Sequence, residues 1–242
     1  MKTLKQGFVL VIGLFVISLA KAQSVDEIIS KSIDAVGGKD KINQIKTIHM
    51  ESSLEVMGNE APSVTDIVNG KAYKSETDFG GQKIIQCYTE NGGWAFNPMM
   101  GQSSPEALPK EALKGTKAQF QVGGALFDYA AKGNKVELLG RDSLGGVSCY
   151  KVKLITPDSV TNVYYIDPTS YYVVKVEVKA TVNGQDAETD IVNSNFQKTE
   201  FGFVMAMSQQ ITLPQGFTLN ITHKKIEINK DIDPKIFEMP KS

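Results

Sequence analysis

The sequence predicts a mainly β protein of α+β character: a curled antiparallel sheet forming an open half-barrel, with an N-terminal helix and a central helical insertion across its mouth. Three observations predict it. Over residues 173–182, Val174, Val176, Val178, Ala180 and Val182 alternate with Lys175, Glu177, Lys179 and Thr181, the period-two pattern of a strand with one buried face. Residues 48–56 repeat the plan, with Ile48, Met50, Ser52, Leu54 and Val56 set against His49, Glu51, Ser53 and Glu55. Only two segments read as helix, so a sheet of roughly eleven or twelve strands lacks covering elements and must curl to bury its apolar face. Two closely packed sheets are the competing architecture.

The chain opens with Lys2 and Lys5, an uncharged apolar run at residues 8–20, and the small-x-small sequence Ala20-Lys21-Ala22. This pattern predicts a cleavable export signal over residues 1–22, with cleavage after Ala22. No cysteine stands at the cleavage point, where Gln23 follows Ala22, so no lipid anchor is expected. Residues 23–242 are read as one domain, because no fixed repeat, low-complexity tract or Pro/Ser-rich linker divides them. The helix begins at Ser24, with Glu27 three residues on as a capping box, and carries a stripe of Val25, Ile28, Ile29, Ile33 and Val36 until Gly37-Gly38 ends it. Turn pairs at Gly58-Asn59, Asn69-Gly70, Gly80-Gly81 and Asn91-Gly92 then mark a meander of hairpins. Residues 104–133 change character: Ser104-Pro105 opens and Gly133 closes a segment rich in Ala, Leu, Lys and Glu, read as helix broken at Gly115 or Gly123-Gly124. Strands resume near Lys135 and run to Ile228.

Charge and chemistry narrow the function. Without Lys2, Lys5 and Lys21 the mature chain has 23 basic and 27 acidic groups, a net −4, which gives no basis for nucleic-acid binding. His49 and His223 are the only histidines, which excludes a multi-histidine metal site; His49 reads as a solvated surface residue and His223 as the centre of a bulge. No Gly-x-Ser-x-Gly elbow and no phosphate-cradling loop is present, so neither an enzyme nor a cofactor is expected. Cys87 and Cys149 either pair in an oxidising compartment or stand as buried free thiols in separate strands.

Apolar side chains are the more informative candidates. Phe203, Met205, Met207 and Ile211 share one strand face with Gln209 as its one polar break, and methionine suits a surface that accepts variable apolar partners. Trp94 and Phe96 lead into Asn97-Pro98, which leaves Met99 and Met100 in a loop. With Leu54, Val56, Phe120, Leu126 and Phe127 they make the expected lining of a cavity between sheet and lid. Residues 99–132 are expected to move as that lid, with Gly115, Gly123 and Gly124 as hinges.

Three stretches resemble the LolA-like family of periplasmic carriers and sorting factors for outer-membrane lipoproteins. Asn91-Gly92-Gly93-Trp94-Ala95-Phe96-Asn97-Pro98 is similar to the family's Trp-x-aromatic strand and Asn-Pro exit. Val163-Tyr164-Tyr165-Ile166-Asp167-Pro168 with Tyr172-Val173-Val174-Lys175 resembles its central hairpin, and Ile226-Glu227-Ile228-Asn229 through Phe237-Glu238-Met239-Pro240 its ending. The resemblance implies an open half-barrel closed by helices, with acyl chains bound inside. It implies a periplasmic, monomeric carrier of lipid or lipoprotein, served by an envelope membrane protein. The family's buried early-strand arginine has no counterpart, since Arg141 is the one arginine and lies in Gly140-Arg141-Asp142-Ser143. A non-enzymatic protein-interaction module with a fully packed β core is the alternative.

Overall fold

The computed structural model describes residues 23–113, 116–182 and 185–240; the expected leader and the hinge candidate Gly115 lie outside them. Helix α1 (Val25–Ala35) starts where the capping box placed it: the Ser24 hydroxyl accepts the Glu27 N–H at 3.1 Å. Its Ile28 and Ile29 are buried. A second, short helix α2 (Lys39–Gln44) follows the Gly37-Gly38 stop.

The strands are β1 (Thr47–Val56), β2 (Asn59–Val68), β3 (Ala72–Phe79), β4 (Gln82–Thr89), β5 (Gly92–Phe96), β6 (Glu106–Ala107), β7 (Lys135–Leu144), β8 (Val147–Ile155), β9 (Thr161–Ile166), β10 (Val173–Val182), β11 (Gln185–Lys198), β12 (Val204–Thr212) and β13 (Thr218–Ile228). They form one antiparallel sheet in the order β6-β5-β4-β3-β2-β1-β13-β12-β11-β10-β9-β8-β7. The sheet is not closed into a barrel, because β6 and β7 stand at opposite edges. The four Gly/Asn turn pairs each join neighbouring strands, as their φ > 0 chemistry favours.

That order explains what covers the sheet. Residues 108–134 connect the two edge strands, and their buried side chains pack on the same face as the helices. Phe120, Val122 and Phe127 join Ile42, Ile45, Ile48, Met50, Ile67, Tyr88 and Phe203 in one core cluster. Ala125 and Leu126 join Ile28, Ile29, Tyr150, Val152, Leu154, Tyr164 and Ile166 in a second. Helices and connection therefore gather at one end of one face, here the helix end of the covered face.

The connection itself differs from the expected broken helix. It holds the two-residue β6, 3-10 turns at Lys110–Leu113 and Thr116–Phe120, and further turns to Gly133, with no α-helix among its described residues. Pro105 and Pro109 lack the N–H a helix requires, and Gly123 and Gly124 hold φ of 83° and 65°, outside the right-handed helical region. At Gly123 a Cβ would lie 2.7 Å from the Cβ of Phe127, so that residue is fixed by packing. Gly93 is fixed as well: a Cβ there would meet the Cys87 carbonyl at 2.7 Å and Leu113 of the connection at 3.0 Å.

Between β12 and β13 the sheet is split. Their pairing stops at Ser208↔Thr222, after which β12 bonds only to β11 and β13 only to β1. Beside this opening the helices are tied to the start of β12: the Val204 N–H donates to the carbonyl of Val36, just after α1, at 2.9 Å, and the Lys41 ammonium of α2 donates to the Phe201 carbonyl at 3.0 Å.

Candidate functional site

Strand register assigns every side chain to a face. Opposed residues share a face, so Leu54 with Ile221, Val56 with Leu219, Ile211 with Ile191, and Val176 with Tyr164 all belong to the covered face. Towards the helix end these positions merge with the two buried clusters. Towards the hairpin end, Leu54, Val56, Ile191, Ile211, Leu219 and Ile221 are only half-buried. An apolar strip on adjacent strands is thus left incompletely covered, which marks a surface able to take an apolar ligand.

The expected lining residues separate into four groups. Leu54, Val56, Met205 and Met207 lie on the covered face, with Met205 packed against the first cluster. Phe120, Phe127 and Phe203 are buried within the first cluster and Leu126 within the second. Met99 and Met100 are exposed, at 60% and 82%, on a 3-10 turn at Pro98–Met100. Trp94 and Phe96 correct the expectation of a shared lining: register places Trp94 opposite Cys87 and Phe96 opposite Ile85, on the other face. Trp94 is buried there with Ala72, Cys87 and Phe237, and its indole N–H donates to the Phe237 carbonyl at 2.9 Å. Period-two alternation gives each strand two faces but not which of them looks inward.

The two cysteines do not pair. Both thiols are free and buried, in β4 and β8, which stand nine places apart in the sheet order. Burial raises both thiols, that of Cys87 to about 11, so each is a neutral, inert packing group at neutral pH.

His49 also corrects its expectation. It lies on the uncovered face, yet its side chain is 13% exposed and its Nδ1 is 2.7 Å from Asp66. His49, Glu51 and Glu227 bring potential ligand atoms within 4.8 Å of one another. Lys230 and Lys225 already contact Glu227 at 2.9 and 3.0 Å, and their hydrogen bonds hold its carboxyl down at about 2. This is an ion-pair network between strands. Two open depressions, of about 180 and 410 Å³, also lie outside the apolar strip; the first is lined by Ser53, Glu55, Glu60, Asn220, Thr222 and Lys224.

His223 sits where the sequence put a bulge, since the β1–β13 register shifts between Glu51 and Ser52 and leaves Lys224 unpaired. It lies on the covered face, and its Nδ1 is 2.7 Å from the Ser52 hydroxyl. Burial lowers its pKa below the ordinary 6.5. A histidine buried neutral contributes stability in full above about pH 6.5, and that contribution is lost as pH falls through the lowered folded value. Denaturant unfolding at a series of pH values is expected to show stability falling below that point in the wild type and a flatter profile in His223→Gln. Parallel profiles would contradict the assignment.

Comparison with known proteins places the fold. No family model matches the chain, and no curated protein does. Among solved structures, a LolA superfamily protein from Nitrosomonas europaea aligns over 90% of this chain and 98% of its own, with a TM-score of 0.59 and 14% identity. A DUF1329 family protein from Desulfovibrio piger aligns over 90% and 98%, with a TM-score of 0.58 and 12% identity. A putative outer membrane lipoprotein-sorting protein domain from Vibrio parahaemolyticus aligns over 87% and 94%, with a TM-score of 0.56 and 13% identity. The chain has a LolA-like fold. Among the described residues no helix is long and apolar enough to cross a membrane.

Proposed function

We propose that this chain, on its LolA-like fold, is a non-enzymatic carrier of the cell envelope that holds acyl chains along the hairpin-end half of its covered face. Lipoprotein sorting is the specific role favoured, by analogy with the Vibrio domain of similar fold. The observation that carries the reading is the strip formed by Leu54, Val56, Ile211, Leu219 and Ile221, which stays half-buried although its strands continue directly into a closed core. An alkyl chain laid there would remove apolar surface from water at both protein and ligand, worth roughly 0.8 kcal/mol per buried methylene. The export signal read in residues 1–22 fits such a role, since it would deliver the chain to the compartment where envelope lipids are exchanged.

Ile211 tests the reading with a single charge. It lies opposite Ile191 and Leu219 on the covered face, on the hairpin side of Gln209. An aspartate there must be desolvated by an incoming chain or must hold water in its path. Ile211→Asp, with Leu54→Asp beside it, is expected to weaken binding of a fluorescent fatty-acyl probe about tenfold or more. Thermal unfolding of each variant checks that the fold survives. Normal probe binding by both folded variants would mean that these positions do not line the site.

A further inference from the structure

The apolar strip is bounded by a polar seam that the core does not require. In neighbouring strands the covered face carries Asn193 on β11, Gln209 on β12, His223 on β13, Ser52 on β1, Ser63 on β2 and Thr77 on β3. Asn193 opposes Gln209, while His223, Ser52, Ser63 and Thr77 are opposed in succession; Gln209 opposes Ile221, so the line steps by one inward position at β13. Three contacts run along it: Gln209 donates to Asn193 at 3.0 Å, Ser52 meets His223 at 2.7 Å, and Ser63 meets Thr77 at 2.9 Å. Ser52 and Thr77 are buried and the other four half-buried. Met50 and Ile226 lie on the helix side of the line, Leu54 and Ile221 on the hairpin side.

Six polar side chains set between apolar neighbours such as Met50, Leu54, Ile221 and Ile226 are costly unless they are bonded. The Asn193 amide also donates to the Val173 carbonyl at 3.0 Å, and capacity is still left over: a hydroxyl offers one donor and two acceptors, an amide two donors, and an imidazole a second nitrogen. The line is also uncharged. The covered-face positions of these six strands hold no lysine, arginine, aspartate or glutamate at the seam, and Lys224, beside His223, turns to the opposite face with Ser53, Glu55 and Glu60. A free carboxylate brought here would find no counter-charge, whereas an ester carbonyl needs only a neutral donor.

We infer that the seam receives the uncharged ester head of an acyl lipid whose chain lies along the hairpin-end strip. This rests on the carrier reading, to which it adds the chemical class of the ligand: glyceryl esters in preference to free fatty acids of equal chain length. His223 and Ser52 are its central specificity residues.

Competition against a bound fluorescent acyl probe at pH 7.5 tests it, with monopalmitoylglycerol and palmitate as competitors. The protein is used as wild type, as Gln209→Leu, and as the double variant Ser52→Ala/His223→Leu, which removes both partners and so leaves neither unpaired. The wild type is expected to favour the ester by about tenfold, the scale of one good hydrogen bond. The double variant is expected to lose most of that preference, read as the ratio of the two competitors' potencies against the same probe. Equal competition in the wild type, or an unchanged preference in both folded variants, overturns the seam and leaves the carrier reading standing, because probe is still bound. Failure of the folded wild type to bind any acyl probe removes the carrier reading, and this inference with it.

Discussion

Trp94→Ala is expected to lower the unfolding free energy by about 3–5 kcal/mol while leaving acyl-probe binding per folded molecule unchanged. The first half follows from burial: Trp94 is 5% exposed, packs with Ala72, Cys87 and Phe237, and holds the C-terminal segment through its bond to the Phe237 carbonyl. Truncation leaves a cavity together with a carbonyl whose remaining donor is the weak Cys87 thiol at 3.4 Å. The second half follows from register, which puts Trp94 on the face away from the apolar strip. Denaturant titration and probe binding, normalised to folded protein, read the two separately. Loss of binding in a folded variant would place the ligand under the C-terminal segment instead.

Asn69→Ala is expected to cost about 2–4 kcal/mol and to loosen the connection between the edge strands. Asn69 lies in the β2–β3 turn, where its side-chain carbonyl accepts the Val122 N–H at 3.0 Å and its amide donates to the Ile45 carbonyl at 2.9 Å. Next to it, the Gly70 N–H donates to the Phe120 carbonyl at 2.6 Å. One side chain therefore fastens the connection to the turn and to the end of α2, at positions flanked by buried Phe120 and Val122. Its loss leaves a backbone donor and a backbone acceptor unpaired. Hydrogen exchange should show Val122 and its neighbours opening at lower free energy than the strands. Uniform acceleration over the whole chain would show instead that the connection and the sheet unfold as one unit. The same measurement on the wild type bears on the proposed lid: motion confined to residues 99–132 requires those amides to open locally.

The sequence was most legible where one local rule acted alone. Ser24 and Glu27 placed the start of α1, Gly37-Gly38 its end, and the four Gly/Asn pairs the turns of the meander, because capping and positive φ are decided within a few residues. The half-barrel followed from too much apolar sheet for too few helices, an argument about supply that survives small errors in strand count. Residues 104–133 were misread because their composition favours helix, while Pro105, Pro109 and the packing of Gly123 against Phe127 decide the backbone. Trp94 and Phe96 were given to the wrong face because alternation is symmetric until a partner strand is known, and the partner of β4 and β5 that matters is the distant C-terminal segment. The polar seam left a trace in Gln209, the break in an apolar series. Its meaning required the register across β11, β12, β13, β1, β2 and β3, which joins residues more than 100 positions apart.

Native mass spectrometry of the protein, released gently from the envelope of the cells that make it, tests the central claim most directly. The account predicts a folded chain carrying one acyl lipid, lost when collisional energy is raised and diminished in Ile211→Asp prepared in parallel. Folded wild-type protein that is repeatedly bare under the gentlest extraction, and that takes up no acyl lipid when offered it, would contradict the account.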